Sequence, residues 1–295
     1  MIKMRAIQLL LSFLLISGSL SAQLPTNNLY LFDIKPASDG AMNFENPRFL
    51  TAFNENGYNN QPHFFSNDEV YISVDFPNDS IPTDIYALHL KNKTLTQVTK
   101  TAEAEYSPTL APNGYHFTAV RVEADEAGTQ HLWQFSVDRR NKGQRIFEVI
   151  KGVGYHHWIN HDQVAMFVVG EPHTLVIADK SQSSYEQILE NVGRCFQKQR
   201  NGHMAFVQKV DGINLIKSYN PSTKAITNIT ATVPGSEDFV ILEDGSFLMG
   251  GGHKLYRYDP SNDDDWVEVG NFKYYGFKKI SRLAYRAGQL IMVVE

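Results

Sequence analysis

Several short segments of the sequence bring charged, amide and aromatic side chains to the same position of a recurring pattern. The residues at this position that we predict to bind a ligand are Gln61, Glu105, Tyr106, His156, Arg194, Glu237, Asp238 and Arg282. Arginines and carboxylates recognise charged groups through paired hydrogen bonds, and a few such groups in a concave site fix a ligand's orientation. If the segments meet in the fold, they form a pocket for a polar small molecule or a peptide end.

A structural role is the alternative explanation of the same residues. Water-filled channels are lined by polar side chains without binding anything else, and glutamate–arginine pairs also tie neighbouring elements together. The sequence leaves both interpretations open.

Signals for catalysis are weaker. The chain has neither a G-x-S-x-G turn nor an H-E-x-x-H helix. Glu105 and Glu237 could act as an acid and base pair, but the sequence does not give their separation. We therefore predict no catalytic residue.

Metal and cofactor sites are also not predicted. The segment "GYHHWINHD" contains His156, His157 and His161, but adjacent residues of a strand point to opposite faces and cannot easily share an ion. "SNDDDW" (261–266) lacks the spacing of a calcium loop and is predicted to be a solvated turn. "GGG" (250–252) has no phosphate-binding context and is predicted to end a strand.

The single cysteine, Cys195, lies in "VGRCF" and is predicted to be a buried strand residue. With one cysteine, no disulfide can form within the chain.

The N-terminus has the layout of a secretory signal peptide. Lys3 and Arg5 precede an apolar run over 7–16, and small residues follow before a predicted cleavage after Ala22. A membrane anchor is the alternative, but a run of this length falls short of the about 20 residues needed to span a bilayer. We predict a signal peptide over 1–22, one domain over 23–295, and a secreted or periplasmic protein.

Charge restricts the partners. The formal net charge is −5, and cleavage of the signal peptide makes it −7. An acidic chain lacks the basic footprint of a nucleic-acid-binding protein and the attraction to anionic membrane surfaces. We expect no nucleic acid, no membrane insertion after cleavage, and a monomer.

An apolar-aromatic strand recurs along the chain and sets the positions of these residues. Its copies are "NLYLFDI" (28–34), "DIYALHL" (84–90), "HLWQFSV" (131–137), "TLVIADK" (174–180), "NLIKSYN" (214–220) and "KLYRYDP" (254–260). Successive copies are separated by 56, 47, 43, 40 and 40 residues, which is close to the about 40–50 residues of a propeller blade.

Each copy belongs to a unit of four short antiparallel strands, because turn residues and alternating strands surround it. Six units arranged radially bury the apolar faces between them, so the sequence predicts an all-β, six-bladed β-propeller. Trp158, Trp133 and Tyr86 are predicted to pack between blades. A stacked β-sandwich is the alternative fold, but it does not explain six copies of one sequence segment.

The two ends of the chain supply complementary halves of one unit. The N-terminal part contributes third and fourth strands, predicted at 28–34 and 47–53, and 278–295 contributes the first two. We predict that they form one shared closing blade, which also removes exposed strand edges.

These phrases resemble a known family. "SPTLAPNG" (107–114), "YHFTAVR" (115–121) and "HLWQFSV" (131–137) are similar to the Ser-Pro-Asp-Gly hairpin repeat of TolB-like, WD-repeat-like bacterial propellers, although Asn113 replaces the usual Asp. The resemblance covers about 28–295 and includes a branch of small secreted bacterial propellers.

The resemblance implies an exported propeller that acts mainly in protein binding. We predict no cofactor. We predict that the mouth of the central channel holds a protein partner or a small polar or peptidic ligand. The alternatives are a propeller enzyme that uses channel carboxylates, such as a metal-assisted lactonase or another hydrolase, and a pure assembly module.

Overall fold

Among the residues that the structure describes, twenty-four strands in six antiparallel sheets make up nearly all of the regular structure, in agreement with the predicted propeller. The computed structural model describes residues 24–36, 41–77 and 82–295. Alternation of apolar and polar residues with period two, broken by turn residues, favours strands over helices throughout these ranges. The sheets each contain four strands, so each is one blade.

The chain opens with two strands of the last blade and then builds five blades in sequence. The opening strands are β1 (Asn28–Pro36) and β2 (Met42–Phe49). Blade 1 contains β3 (Tyr58–Phe64), β4 (Glu69–Asp75), β5 (Asp84–His89) and β6 (Thr94–Gln97). Blade 2 contains β7 (Ala104–Leu110), β8 (His116–Val122), β9 (Gln130–Ser136) and β10 (Gln144–Arg145). Blade 3 contains β11 (Val153–Trp158), β12 (Gln163–Val168), β13 (Thr174–Asp179) and β14 (Ser184–Glu190).

The remaining strands complete blades 4 and 5 and the closing blade. Blade 4 contains β15 (Val192–Lys198), β16 (Met204–Val210), β17 (Ile213–Tyr219) and β18 (Ile226–Ala231). Blade 5 contains β19 (Phe239–Ile241), β20 (Phe247–Gly251), β21 (Lys254–Tyr258) and β22 (Val267–Asn271). The last strands are β23 (Ile280–Arg286) and β24 (Gln289–Val294).

The closing blade joins the two ends of the chain, as predicted. Its strand order is β2-β1-β24-β23, so two strands come from each end. β1 and β24 pair antiparallel from Asn28 opposite Val294 to Asp33 opposite Gln289. The ring is thus closed by backbone hydrogen bonds rather than by a covalent link.

Apolar side chains form one core cluster between each pair of neighbouring blades. Trp158 lies in the cluster between blades 2 and 3. Trp133 packs against the cluster between blades 1 and 2, and Tyr86 against the one between the closing blade and blade 1. These placements confirm the prediction that the three aromatic residues pack between blades.

The fourth strand of the closing blade was predicted too late in the sequence. It is β2, which ends at Phe49, and Ala52–Asn54 forms a 3-10 turn instead. The Oγ1 of Thr51 accepts a hydrogen bond from the backbone N–H of Leu29 at 3.2 Å, where the chain leaves the sheet. Pro47 fits within β2 because this strand is at the edge of the sheet, where a missing N–H costs little.

The fourth strand of blade 2 begins the segment "QRIFEVI" (144–150) but is only two residues long. The apolar residues of the rest of that segment, Phe147 and Ile150, are buried in the cluster between blades 2 and 3. Packing between blades therefore takes precedence over edge pairing here.

The predicted signal peptide over 1–22 lies outside the described residues. Within the part of the chain that the structure describes, none of the helices has the length and apolar character needed to cross a membrane.

Candidate functional site

The first strand of every blade contributes to one cavity on the propeller axis, with a volume of about 110 Å³. Its lining residues are Gln61, Pro62, His63, Ser107, Pro108, Thr109, Tyr155, His156, Arg194, Cys195, Phe196, Gln197, Asp238, Phe239, Arg282 and Leu283. Five of the eight predicted ligand-binding residues are therefore brought together, namely Gln61, His156, Arg194, Asp238 and Arg282. Glu105, Tyr106 and Glu237 are not among the lining residues.

Bulges in the first strands decide which side chains reach the cavity. The pairing of β3 with β4 shifts between Asn60 and His63, and that of β7 with β8 shifts between Tyr106 and Thr109. Gln61 and Ser107 occupy these bulges with left-handed backbone (φ 55° in both). A bulge re-aims the side chains around it, and both residues line the cavity.

Gln61 links blades 1 and 2 at this level. Its Oε1 accepts hydrogen bonds from the Ser73 hydroxyl at 2.7 Å and from the backbone N–H of Ser107 at 2.8 Å. The two bulges are thereby held in a fixed relation to each other.

Arg194, Asp238 and Arg282 form the charged centre of the cavity. Arg194 donates to Oδ2 of Asp238 through both Nε, at 2.8 Å, and Nη2. Arg282 is farther away, with Nε 3.8 Å from Oδ1 of the same aspartate. Its Nη2 donates to the hydroxyl of Tyr155 at 3.4 Å, and its guanidinium carbon lies 5.1 Å from the centre of that ring. Two guanidinium groups thus share one carboxylate.

Both arginines stay charged in this setting. Burial disfavours their charged forms, but the neighbouring Asp238 carboxylate outweighs it and raises the pKa of Arg194 and of Arg282. Opposite charges at short range favour ionisation.

The histidines near the axis are neutral at neutral pH. Burial lowers the pKa of His63 to about 4, with a smaller contribution from the charge of Arg286. Burial and the neighbouring histidines lower the pKa of His156 to about 3, and burial likewise lowers that of His157 to about 4. The net charge of the cavity is therefore set by Arg194, Arg282 and Asp238.

A hydrogen-bonded chain orients the His156 ring. The indole N–H of Trp158 donates to Oγ1 of Thr118 at 3.1 Å, and this hydroxyl lies 2.6 Å from Nε2 of His156. The same hydroxyl lies 3.3 Å from the carbonyl of Thr109. The other ring nitrogen of His156, Nδ1, is buried without a partner among the described residues.

We expect His156 to make folding sensitive to acid. The folded pKa of about 3 lies below the ordinary value of 6.5, so as the pH falls below 6.5 the unfolded chain takes up a proton that the folded chain does not. Between pH 6.5 and about pH 5 this costs about 2 kcal/mol of stability. In His156→Gln, whose side-chain amide can still form a hydrogen bond with Thr118, urea unfolding should show a correspondingly smaller loss.

The matched control is His161→Gln, because His161 is an exposed histidine of the same segment. It should keep the acid sensitivity of the natural chain. An unchanged loss of stability in His156→Gln would contradict the assignment of a buried neutral imidazole.

Glu105 lies inside blade 2 rather than at the cavity. It is fully buried, and its Oε1 accepts hydrogen bonds from Nε of Arg121 at 2.8 Å and from the Thr101 hydroxyl at 2.6 Å. Burial raises its pKa to about 7, and the nearby carboxyl of Asp84 adds to this although Arg121 opposes it. Glu105 thus belongs to a buried ionic cluster.

Tyr106 and Glu237 have partners beside the cavity. The Tyr106 hydroxyl accepts from the Thr83 hydroxyl at 3.0 Å. Glu237 lies 2.9 Å from Nζ of Lys209 and 3.9 Å from Nε of Arg194. It lines a neighbouring cavity of about 210 Å³ together with Arg194 and Asp238.

Cys195 is buried in β15, as predicted, with Sγ 3.3 Å from the backbone nitrogen of Phe239. Burial raises the pKa of its thiol. The "GGG" segment falls at the end of β20, as predicted. Across 24–36, 41–77 and 82–295, no three histidine, cysteine, aspartate or glutamate side chains group closely enough to hold a metal ion.

Sequence reasoning missed His63 among the cavity residues. The bulge of β3 between Asn60 and His63 brings its side chain to the cavity. The sequence carries no signal for this bulge. Tyr155, which precedes His156 at the same position of the repeat, also lines the cavity, and its ring lies against Arg282.

The comparisons with known proteins bear on the fold. No protein-family model matches the sequence, and no curated protein sequence matches it. A structure assigned to TolB from Agrobacterium tumefaciens superimposes with a TM-score of 0.67 at 8% identity, covering 91% of this chain and 98% of that one. TolB from Acinetobacter baumannii gives 0.60 at 11% identity, covering 92% of this chain and 64% of that one. A structure assigned as a gluconolactonase gives 0.58 at 10% identity, covering 81% and 88%.

These similarities, together with six four-stranded blades and a shared closing blade, identify the architecture. The fold of this chain is that of a TolB-like six-bladed β-propeller.

Proposed function

We propose that this chain is an exported, non-catalytic binding propeller that holds a protein partner or a small polar ligand at the mouth of its central channel. The observation that supports it best is the cavity on the propeller axis where two arginines and an aspartate converge. Concave sites with a few convergent polar groups are the usual places for ligands.

A structural role accounts for only part of this cluster. The bonds between Arg194 in blade 4 and Asp238 at the start of blade 5 tie two blades together. They leave Arg282 with a single hydrogen bond to the residues that the structure describes, at 3.4 Å. A buried charge is costly unless it is well partnered, and a bound ligand would supply the missing partners.

The cellular setting belongs to the same proposal. The predicted signal peptide and the acidic charge favour an exported monomer that binds neither nucleic acid nor membrane and needs no cofactor.

We expect that screening polar metabolites and short peptides by thermal unfolding will find at least one stabilising compound. At about 100 times its Kd, such a compound adds about 3 kcal/mol, which raises Tm by on the order of 5 °C. Arg194→Ala and Glu237→Ala should reduce this shift, because Arg194 lines the axial cavity and Glu237 lies beside it.

Arg140→Ala is the control, since this arginine is 86% exposed and lines neither of the two cavities. It should leave the shift unchanged. If Arg194→Ala and Glu237→Ala fold normally and keep the full shift, the polar channel is structural and the proposal is wrong.

A hydrolase is the second candidate. Asp238 lines the cavity and Glu237 lies beside it, and the fold is shared with a structure assigned as a gluconolactonase. Hydrolysis of a lactone by the purified chain, with or without added divalent metal, that disappears in Asp238→Asn would favour this candidate over simple binding.

A further inference from the structure

The cavity has one positive charge in excess. Arg194 and Arg282 face a single carboxylate in the lining, that of Asp238. Glu237, outside the cavity, already has Lys209 at 2.9 Å. His63 and His156 are neutral at neutral pH because burial lowers their pKa values. The cavity therefore attracts an anion.

The two arginines are not equivalent. Arg194 is committed to Asp238 through two of its nitrogens. Arg282 uses one N–H toward Tyr155, and its Nε has no hydrogen-bond partner among the residues described. A guanidinium has five N–H donors, so Arg282 keeps most of its capacity for a ligand.

The orientation of Arg282 is nevertheless fixed. The ring of Tyr155 lies 5.1 Å from its guanidinium carbon, and Asp238 lies 3.8 Å from its Nε. A guanidinium held in this way is pre-organised for a planar, two-oxygen acceptor.

Two neutral polar groups line the same cavity. His156 is 7% exposed, and its Nδ1 has no partner in the described part of the chain. Ser107 is 8% exposed, and its hydroxyl is likewise without a partner there. The cavity therefore offers a ligand polar contacts beside Arg282.

Space continues along the channel from this point. A second cavity of about 220 Å³ shares Pro62, His63, Gln197 and Leu283 with the first. A group bound at Arg282 can thus be the end of a longer molecule.

We propose that the cavity binds a carboxylate group and that Arg282 is the residue that receives it. The inference rests on the proposed binding function and names the chemistry of the ligand. A peptide C-terminus and a small organic acid carry the same group, and the experiment below separates these two sources.

The experiment compares matched probes by titration calorimetry on the full natural chain at low salt. The probes are acetyl-trialanine with a free C-terminus, the same peptide as its amide, succinate and sulfate. We expect the free acid to bind about 10- to 100-fold more tightly than the amide, because it alone forms charge-assisted bonds with the guanidinium. If succinate binds as tightly as the peptide acid, the site is assigned to small acids. If succinate binds much more weakly, the site is assigned to peptide ends.

Substitutions of Arg282 test whether this residue receives the carboxylate. Arg282→Gln should lose about 10- to 100-fold in affinity for the peptide acid, and Arg282→Lys, which keeps the charge but not the fork, should lose less. Arg140→Gln removes the same charge at a site that is 86% exposed and should bind as the natural chain does. If Arg282→Gln fails to fold, the acid and amide comparison on the natural chain still decides.

Three results would overturn the inference: equal binding of acid and amide, no binding of either carboxylate probe, or binding of sulfate as tight as that of both carboxylates. Unchanged binding in folded Arg282→Gln would overturn the role of that residue. If the screen described above finds a channel ligand that is not a carboxylate, this inference fails while the proposed binding function stands.

Discussion

A chain that ends after Phe277, and so lacks β23 and β24, should not fold cooperatively. Four side chains of β24, Leu290, Ile291, Met292 and Val293, are fully buried. At about 1.5–3 kcal/mol each, their burial contributes about 6–12 kcal/mol, which is comparable with the whole stability of about 5–15 kcal/mol of an ordinary protein. Circular dichroism with a thermal scan should show no sharp transition.

The control is a circular permutant that keeps every strand. Glu295 is joined to Leu24 by a short Gly/Ser linker, and the chain is opened between Asp211 and Gly212, an exposed turn joining β16 and β17. Because β1 and β24 already pair, we expect this variant to fold with a stability within about 2 kcal/mol of the natural order. A truncated chain that melts as sharply as the natural one would contradict the role of the closing blade.

Arg121→Ala should be among the most destabilising single substitutions in the chain. Arg121 is 5% exposed and pairs with Glu105, which is fully buried. Its guanidinium carbon also lies 3.8 Å from the centre of the Trp133 ring. Removing one partner of a buried ion pair costs about 3–5 kcal/mol because the other charge is left without compensation.

The cost of Arg121→Ala should grow with pH. Burial and Asp84 raise the pKa of Glu105 to about 7 from its ordinary 4.5, while Arg121 lowers it. Below about pH 6 the Glu105 carboxyl is mostly protonated, so little charge is left unpaired when the arginine is removed. Above about pH 7.5 it is ionised in the natural chain, and the variant must hold it either unpaired or protonated.

Urea unfolding of both proteins at about pH 5.5 and pH 8 measures this difference. The double variant Glu105→Gln/Arg121→Met is the control, since it removes both charges and keeps the bulk of the two side chains. It should recover much of the lost stability and lose the pH dependence. An equal cost of Arg121→Ala at both pH values would show that lost packing against Trp133, not the charge, dominates.

Much of the fold could be predicted because the repeat has a strong local signature. The recurring apolar-aromatic segment, from the copy with Tyr86 to the copy with Tyr256, repeats at intervals close to the length of a blade. Each copy forms the third strand of a blade. The shared closing blade could be predicted because the N-terminal part of the sequence supplies a third and a fourth strand and the C-terminal part supplies a first and a second. The position of β2 did not follow, because an edge strand buries few side chains and its pattern is correspondingly weak.

The site could be predicted only in part because bulges break the period-two pattern. When Gln61 and Ser107 are aligned as the two bulge residues, Glu105 corresponds to Asn59. Both residues are fully buried, Asn59 with its side chain donating to the backbone of Asn27 and Asn54. The sequence placed Glu105 at the channel mouth because it shows no sign of the bulge that separates this position from the cavity.

The pairing of Glu105 with Arg121 also could not be predicted from the sequence. The two residues face each other across β7 and β8 in a register that places Glu105 opposite Arg121. That register depends on how the hairpin closes, and a shift by one residue would move every side chain of the strand to the other face.

The closing blade has a mechanical consequence. Residues 28 and 294 lie opposite each other, so a pull on the two ends of the chain acts at the same end of the β1–β24 pair. Hydrogen bonds between antiparallel strands run across the strand direction, and tension applied there loads them one after another, like a zipper, instead of all at once in shear. The ring, although its blades are packed against one another, therefore yields to a small force at its two ends.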